Sequence, residues 1–253
     1  MKARTKSTIF LIGAFLVVGT VFAEESAVRQ DARALDVLKS MSAYTDSLDQ
    51  VVMTGETLTD ARLDRGLMVS NADEVTVTID RPGSLHITTF DGVATTEIFF
   101  HKEMLTVFNS QNGFYAQASI PDEIDAALDF ALEELGLEAP LMDMILSDAS
   151  VGLIGPQDTV IYLTDKARVA GVDCHHIAIR GPETDVQLWV EEGEKPLPRK
   201  FMLTSKWAGG SPRHMANVAW QTEPEVDPGI FEFKAPEGSI EIGFSQRDED
   251  EGE

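Results

Sequence analysis

Three side chains that ligate metals or do nucleophilic chemistry stand side by side in Gly171-Val172-Asp173-Cys174-His175-His176-Ile177-Ala178-Ile179-Arg180. Cys174 is the only cysteine, and His175 and His176 are two of the five histidines. A thiolate beside imidazoles suggests zinc ligation or an activated nucleophile. The stretch alternates like a strand, however, and successive side chains of a strand point to opposite faces. Cys174 and His176 then share one face with Val172 and Ala178, while His175 points the other way with Ile177 and Ile179. The three cannot converge on one ion. Zinc takes three or four protein ligands, and no spaced Cys or His completes a set. His86, His101 and His214 stand singly on other predicted strands. A buried free cysteine usually acts as a small hydrophobe.

Other chemistry is equally unsignalled. HExxH, GxSxG, a glycine-rich phosphate loop and calcium-loop spacing are all missing from the chain. Carboxylates are too common for any pair of them to be informative. A triad assembled from distant residues stays open, because geometry rather than spacing defines it. The chain reads as a non-enzyme with no catalytic residue, no metal site and no cofactor.

The elements that must position these residues begin after an address. Lys2, Arg4 and Lys6 precede an apolar stretch from Ile9 to Val18, and Val21-Phe22-Ala23 ends it with Glu24 and Glu25 following. This is the pattern of a signal peptide over residues 1–23, cleaved near Ala23. The apolar stretch is shorter than the ~20 residues a spanning helix needs, so the mature chain is expected not to span a membrane. A single cysteine excludes an internal disulfide in an exported, oxidising setting. The 43 acidic residues against 20 basic ones make nucleic acid and anionic lipid headgroups poor partners. Part of that charge lies in residues 247–253, read as an acidic disordered tail.

Between these ends the periodicity changes three times. Val28, Ala32, Leu35, Leu38 and Met41 recur at helical spacing, predicting an amphipathic helix from about Val28 to Tyr44. From about Gln50 the period is two: Val75, Val77 and Ile79 alternate with polar residues, and Leu85 and Ile87 follow a turn at Arg81-Pro82-Gly83-Ser84. A meander of short antiparallel strands runs to Phe114-Tyr115. A second helix follows, with Ser119 as cap, Ile124, Leu128, Ala131, Leu132 and Leu135 as its stripe, and Gly136 as its end. Leu141-Met142-Asp143-Met144-Ile145-Leu146 is apolar on nearly all sides, so something must enclose it. Strand patterns resume near Thr159 and continue to Phe231 and Phe233. One antiparallel sheet, split by helices that pack on one face, is the economical arrangement.

This order of elements resembles the lipoprotein-carrier fold of the LolA and LolB proteins. More closely, the chain is similar to a group of predicted periplasmic proteins catalogued as domain-of-unknown-function family 2092. Arg81-Pro82, Phe90-Asp91-Gly92, Asn112-Gly113-Phe114-Tyr115-Ala116, Ile124-Asp125-Ala126-Ala127-Leu128, Leu141-Met142-Asp143, Gly171 to His176, Trp189-Val190-Glu191 and Pro196 to Lys200 carry the match. The resemblance covers roughly 28 to 244. It implies an α+β domain over 24–246: a single strongly curved antiparallel sheet, a half-barrel, with helices packed on its concave face. It also implies an apolar cavity that takes acyl chains, with no residue transferable position by position.

On that basis the expected function is an exported, periplasmic binding protein carrying or sensing an apolar small molecule, lipid, acylated peptide or lipoprotein. The alternative is an envelope protein-interaction or sensor domain holding a protein partner; a metal-dependent enzyme is the remaining option. The expected cavity residues are Phe100, Leu128, Leu132, Leu141, Met142, Met144, Ile145 and Trp189. Phe99, Phe108, Phe114, Trp207, Trp220 and the scattered methionines are further candidates for the same concavity, since thioethers adapt to varied apolar partners.

Overall fold

A computed structural model describes residues 29–244 except 138, 140, 145–153, 156 and 208. The leader, Ile145 and the acidic tail therefore lie outside the described residues. The chain forms α1 (Ala32–Asp46), β1 (Gln50–Arg62), β2 (Met68–Asp80), β3 (Ser84–Phe90), β4 (Thr95–His101), β5 (Met104–Asn109) and β6 (Phe114–Ser119). Then come α2 (Ile124–Leu135), β7 (Thr159–Val169), β8 (Val172–Arg180), β9 (Thr184–Glu191), β10 (Pro198–Ser205), β11 (Arg213–Gln221) and β12 (Ile240–Ile242). Short 3-10 turns occupy Asp64–Gly66, Met142–Met144 and Pro228–Phe231.

All twelve strands join one open, strongly curved sheet in the order β12-β6-β5-β4-β3-β2-β1-β11-β10-β9-β8-β7. Neighbours are antiparallel except β12, which runs parallel to β6. This last pairing departs from the all-antiparallel expectation. It arises because the chain crosses from β11 back over the first meander before pairing again.

Strand alternation sorts the apolar residues onto the concave face. Val51, Ile79, Leu85, Phe100, Leu105 and Ala118 stand opposite one another across six strands. Met53, Val77, Ile87, Ile98, Val107 and Ala116 form the next inward row. In the second half Ile177, Leu188 and Phe201 pair likewise, beside Ile179, Val186 and Leu203. Both helices lie on this face, and the rows and helices share one apolar core.

The helix boundaries moved for identifiable reasons. α1 begins at Ala32, not near Val28, because residues 29–31 pair with β7 instead: Val160 N donates to Arg29 O (2.8 Å) and Asp31 N to Val160 O (3.0 Å). The Asp31 side chain then caps the helix by accepting from the Arg33 and Ala34 amides, and Ala34, Leu38 and Met41 are buried. α2 begins at Ile124 because Ser119, the expected cap, is the last residue of β6 and pairs with Met104. It ends, as expected, at a left-handed Gly136, the conformation glycine adopts at least cost.

The convex face is covered over its first half. Phe231 and Phe233, expected on a strand, lie in and just beyond the Pro228–Phe231 turn and fold back across β3 to β6. The Phe233 ring sits 5.4 Å from Phe99, 5.7 Å from Phe108 and 5.1 Å from Tyr115. Phe99 and Phe108 alternate with the inward Ile98, Phe100 and Val107, so they face away from the concavity and onto this cover.

Candidate functional site

The concave face carries the candidate site. α2 lays Ala127, Leu128 and Ala131 over Leu85, Ile98, Phe100 and Leu105, with an apolar cavity between them. A second cavity lies where Met41 of α1 and Met144 meet Val186, Leu188, Pro198, Phe201 and Leu203. Between helices, Leu141, Met142 and Met144 are buried against the sheet. Gly55 makes room there: a Cβ on it would lie 2.8 Å from the Asn217 carbonyl oxygen and 3.4 Å from Leu141 Cδ1. The space open to a water's centre is about 10 Å³ in the first cavity and about 30 Å³ in the second. That is room for one or two water molecules, so an acyl chain enters only if the covering side chains move.

Of the residues expected at this site, Phe100, Leu128, Leu141, Met142 and Met144 come together on the concave side. Ile145 lies outside the described residues. Leu132 does not join them: it is 50% exposed, because α2 turns the small Ala127 and Ala131 inward. Trp189 is also misplaced by the expectation. Its neighbours Leu188 and Val190 are buried in the core, so strand alternation sends the indole to the convex face. Trp207 stands on a turn at 76% exposure. Trp220 does pack against the core, its Nε1 donating to Pro198 O at 2.8 Å. Met53 and Met41 face inward; Met41, which the sequence places only in a helical stripe, lies nearly three turns along the capped helix, and this aims it at β9 and β10.

The Cys-His run behaves as strand alternation predicts. His175 faces inward, its Nδ1 2.7 Å from the Tyr162 hydroxyl. Cys174 and His176 face outward. Burial pushes the Cys174 thiol up from its ordinary pKa, which disfavours the reactive thiolate. The His176 ring stacks on Trp189 at 4.2 Å and its Nε2 lies 3.1 Å from Gln187 Oε1. Each remaining histidine has its own partner: His86 with Glu97 (2.9 Å), His101 with Ser84 (2.8 Å) and His214 with Thr59 (2.7 Å). Among the described residues no three His, Cys, Asp or Glu side chains form a metal-binding group.

Burial holds the His176 imidazole below its ordinary pKa, with the Gln187 hydrogen bond opposing. The neutral ring therefore contributes stability above about pH 6.5, where the unfolded histidine is also neutral, and that contribution is lost as pH falls through the lower folded value. His176→Gln is expected to flatten the fall in urea midpoint between about pH 7 and pH 5. A slope identical to that of the wild type would exclude His176 as its source.

Residues 34–245 match the family described as predicted periplasmic protein (DUF2092). The chain belongs to the DUF2092 family. No curated protein matches this DUF2092 chain in sequence. Similar solved structures include the lipoprotein LppX of Mycobacterium tuberculosis, at 9% identity and TM-score 0.46, covering 78% of this chain and 100% of that one. LprF of Mycobacterium bovis is similar at 12% identity and TM-score 0.44, covering 79% and 98%. A LolA-superfamily protein of Nitrosomonas europaea is similar at 10% identity and TM-score 0.37, covering 79% and 97%. Among the described residues of the DUF2092 chain, no helix is long and apolar enough to cross a membrane.

Proposed function

We propose that the chain is an exported, non-enzymatic periplasmic protein, released from its leader near Ala23, that binds an apolar ligand such as a lipid, an acylated peptide or a lipoprotein. The observation that supports this is the cover of the concave face. Apolar rows run across the sheet, and among the described residues two separate helices and the turn Leu141–Met144 cover them, with one apolar cavity beneath α2 and another beside Met41 and Met144. Methionine side chains adapt their shape at little cost, so displacement of Met144 and Met41, which line the second cavity, would enlarge it. The buried thiol and the histidines held apart on separate partners support a role without catalysis.

Delipidated protein titrated with a fluorescent fatty acid should bind it saturably, and native mass spectra of undelipidated protein should carry lipid. Met144→Trp, which fills the second cavity, should weaken binding about tenfold, the effect of roughly one apolar side chain's burial. The small cavity volumes favour a second reading, in which the packed interior is a scaffold and the protein holds a partner in the envelope. No saturable binding and no carried lipid would sink the ligand reading and leave that one.

A further inference from the structure

Two turns at one end of the sheet expose large apolar side chains that no part of the described chain covers. The β1–β2 turn presents Leu63 at 50% and Leu67 at 61% exposure, and the β10–β11 turn presents Trp207 at 76%. The turns adjoin. Arg62 of the first lies against Gly209 of the second, and the Met68 Sδ would be 3.3 Å from a Cβ on Gly210. Trp207 is the most exposed of the large apolar residues in the described chain.

The charge around this tip differs from that of the rest of the molecule. Residues 60–67 and 205–213 carry Arg62, Arg65, Lys206 and Arg213 against Asp60 and Asp64, in a chain of net charge −23. Arg213 pairs with Asp60 at 3.2 Å and Lys206 with Asp185 of β9 at 2.8 Å. Arg62 and Arg65 make no ion pair among the described residues. One exposed carboxylate, Glu183, stands on the adjoining β8–β9 turn.

We propose that this tip docks on a phospholipid bilayer surface, with Trp207, Leu63 and Leu67 entering the headgroup region and Arg62 and Arg65 meeting lipid phosphates. Tryptophan is the side chain that settles at membrane interfaces, apolar at one end and hydrogen-bonding at the other. Leucines flanked by arginines are the usual companions of such an anchor. The overall negative charge opposes docking only weakly, since charges beyond a Debye length of about 8 Å are screened at physiological salt. The tip also lies at the end of the strand that lines the second cavity: Leu203 of β10 precedes Trp207 by four residues, roughly 13 Å of extended chain. The docking surface goes beyond the ligand reading and stands whether or not that cavity takes a ligand.

The test is vesicle partition followed by tryptophan emission. On vesicles of phosphatidylcholine mixed with phosphatidylglycerol, emission of the full mature protein should shift to the blue, and Trp207→Phe should remove the shift while partition persists. Leu63→Ser and Leu67→Ser should each lower partition about tenfold and leave the unfolding midpoint unchanged. Arg65→Gln should lower it about fivefold on the mixed vesicles and less on phosphatidylcholine alone. Failure to partition on either vesicle would overturn the proposal. So would partition that Leu63→Ser, Leu67→Ser and Arg65→Gln leave unchanged, or copies that associate through Leu63 and Trp207 without binding vesicles.

Discussion

Phe231→Ala is expected to lower stability by about 3 kcal/mol, although the residue lies outside every α-helix and strand. The side chain is buried on the convex face, its ring 6.3 Å from that of His101. Its turn is fixed locally, since the Asp227 carboxylate accepts from the Gly229 amide at 2.9 Å. Phe233 beyond it packs on Phe99 and Phe108, which are buried although they belong to the face of the sheet turned from the core. β12 beyond it contributes far less: Ile240 and Ile242 are exposed, and the Lys102–Glu232 ion pair (3.7 Å) is solvated, where such pairs are worth little. Ile240→Ser with Ile242→Ser should therefore shift the urea midpoint by less than about 0.5 kcal/mol equivalent. Equal effects from the two changes would mean that the strand pairing, and not the aromatic contact, holds the segment.

That segment marks the boundary of what was legible from sequence. The strands that bury one face against helices were readable, because burial on one side enforces period two: Val75, Val77 and Ile79 face inward as their spacing requires. The same rule contains the correction to Trp189, whose neighbours Val186, Leu188 and Val190 mark the inward parity and leave the indole outside. The Cys-His run was legible for the same reason. Phe99 was not. Its burial depends on Phe233, 134 positions along the chain, folding back over it, and no local pattern encodes so distant a contact. Ser119 failed as a helix cap for a similar reason, its pairing with Met104 across β5 and β6 outweighing its capping tendency. Leu132 fits the helical stripe in sequence, but the approach of α2 to the sheet selects the side with small residues. The exposed tip needed the fold as well, because only the pairing of β1 with β2 and β11 brings Leu63, Leu67 and Trp207 to one end.

Phe100→Ala should give the largest stability loss, about 3–5 kcal/mol, and it also tests how the interior accepts a ligand. Phe100 is 1% exposed, in the row Val51, Ile79, Leu85, Phe100, Leu105, and it lines the cavity beneath Leu128. Removing the ring deletes its packing on both strand neighbours and on α2, and the sheet cannot close the gap, because its strands are held in register on both sides. The lining that remains is aliphatic, so the space should stay dry and take small apolar molecules such as benzene or xenon. Benzene should then raise the melting temperature of Phe100→Ala and leave the wild type unchanged, since a ligand that binds only the folded state stabilises it. The same variant locates an acyl ligand. A chain that enters beneath α2 gains room and binds tighter, whereas one that enters beside Met144 sees no difference. If benzene stabilises neither protein, α2 has collapsed into the gap, and the cover over this half of the sheet is mobile enough to move for a ligand by itself.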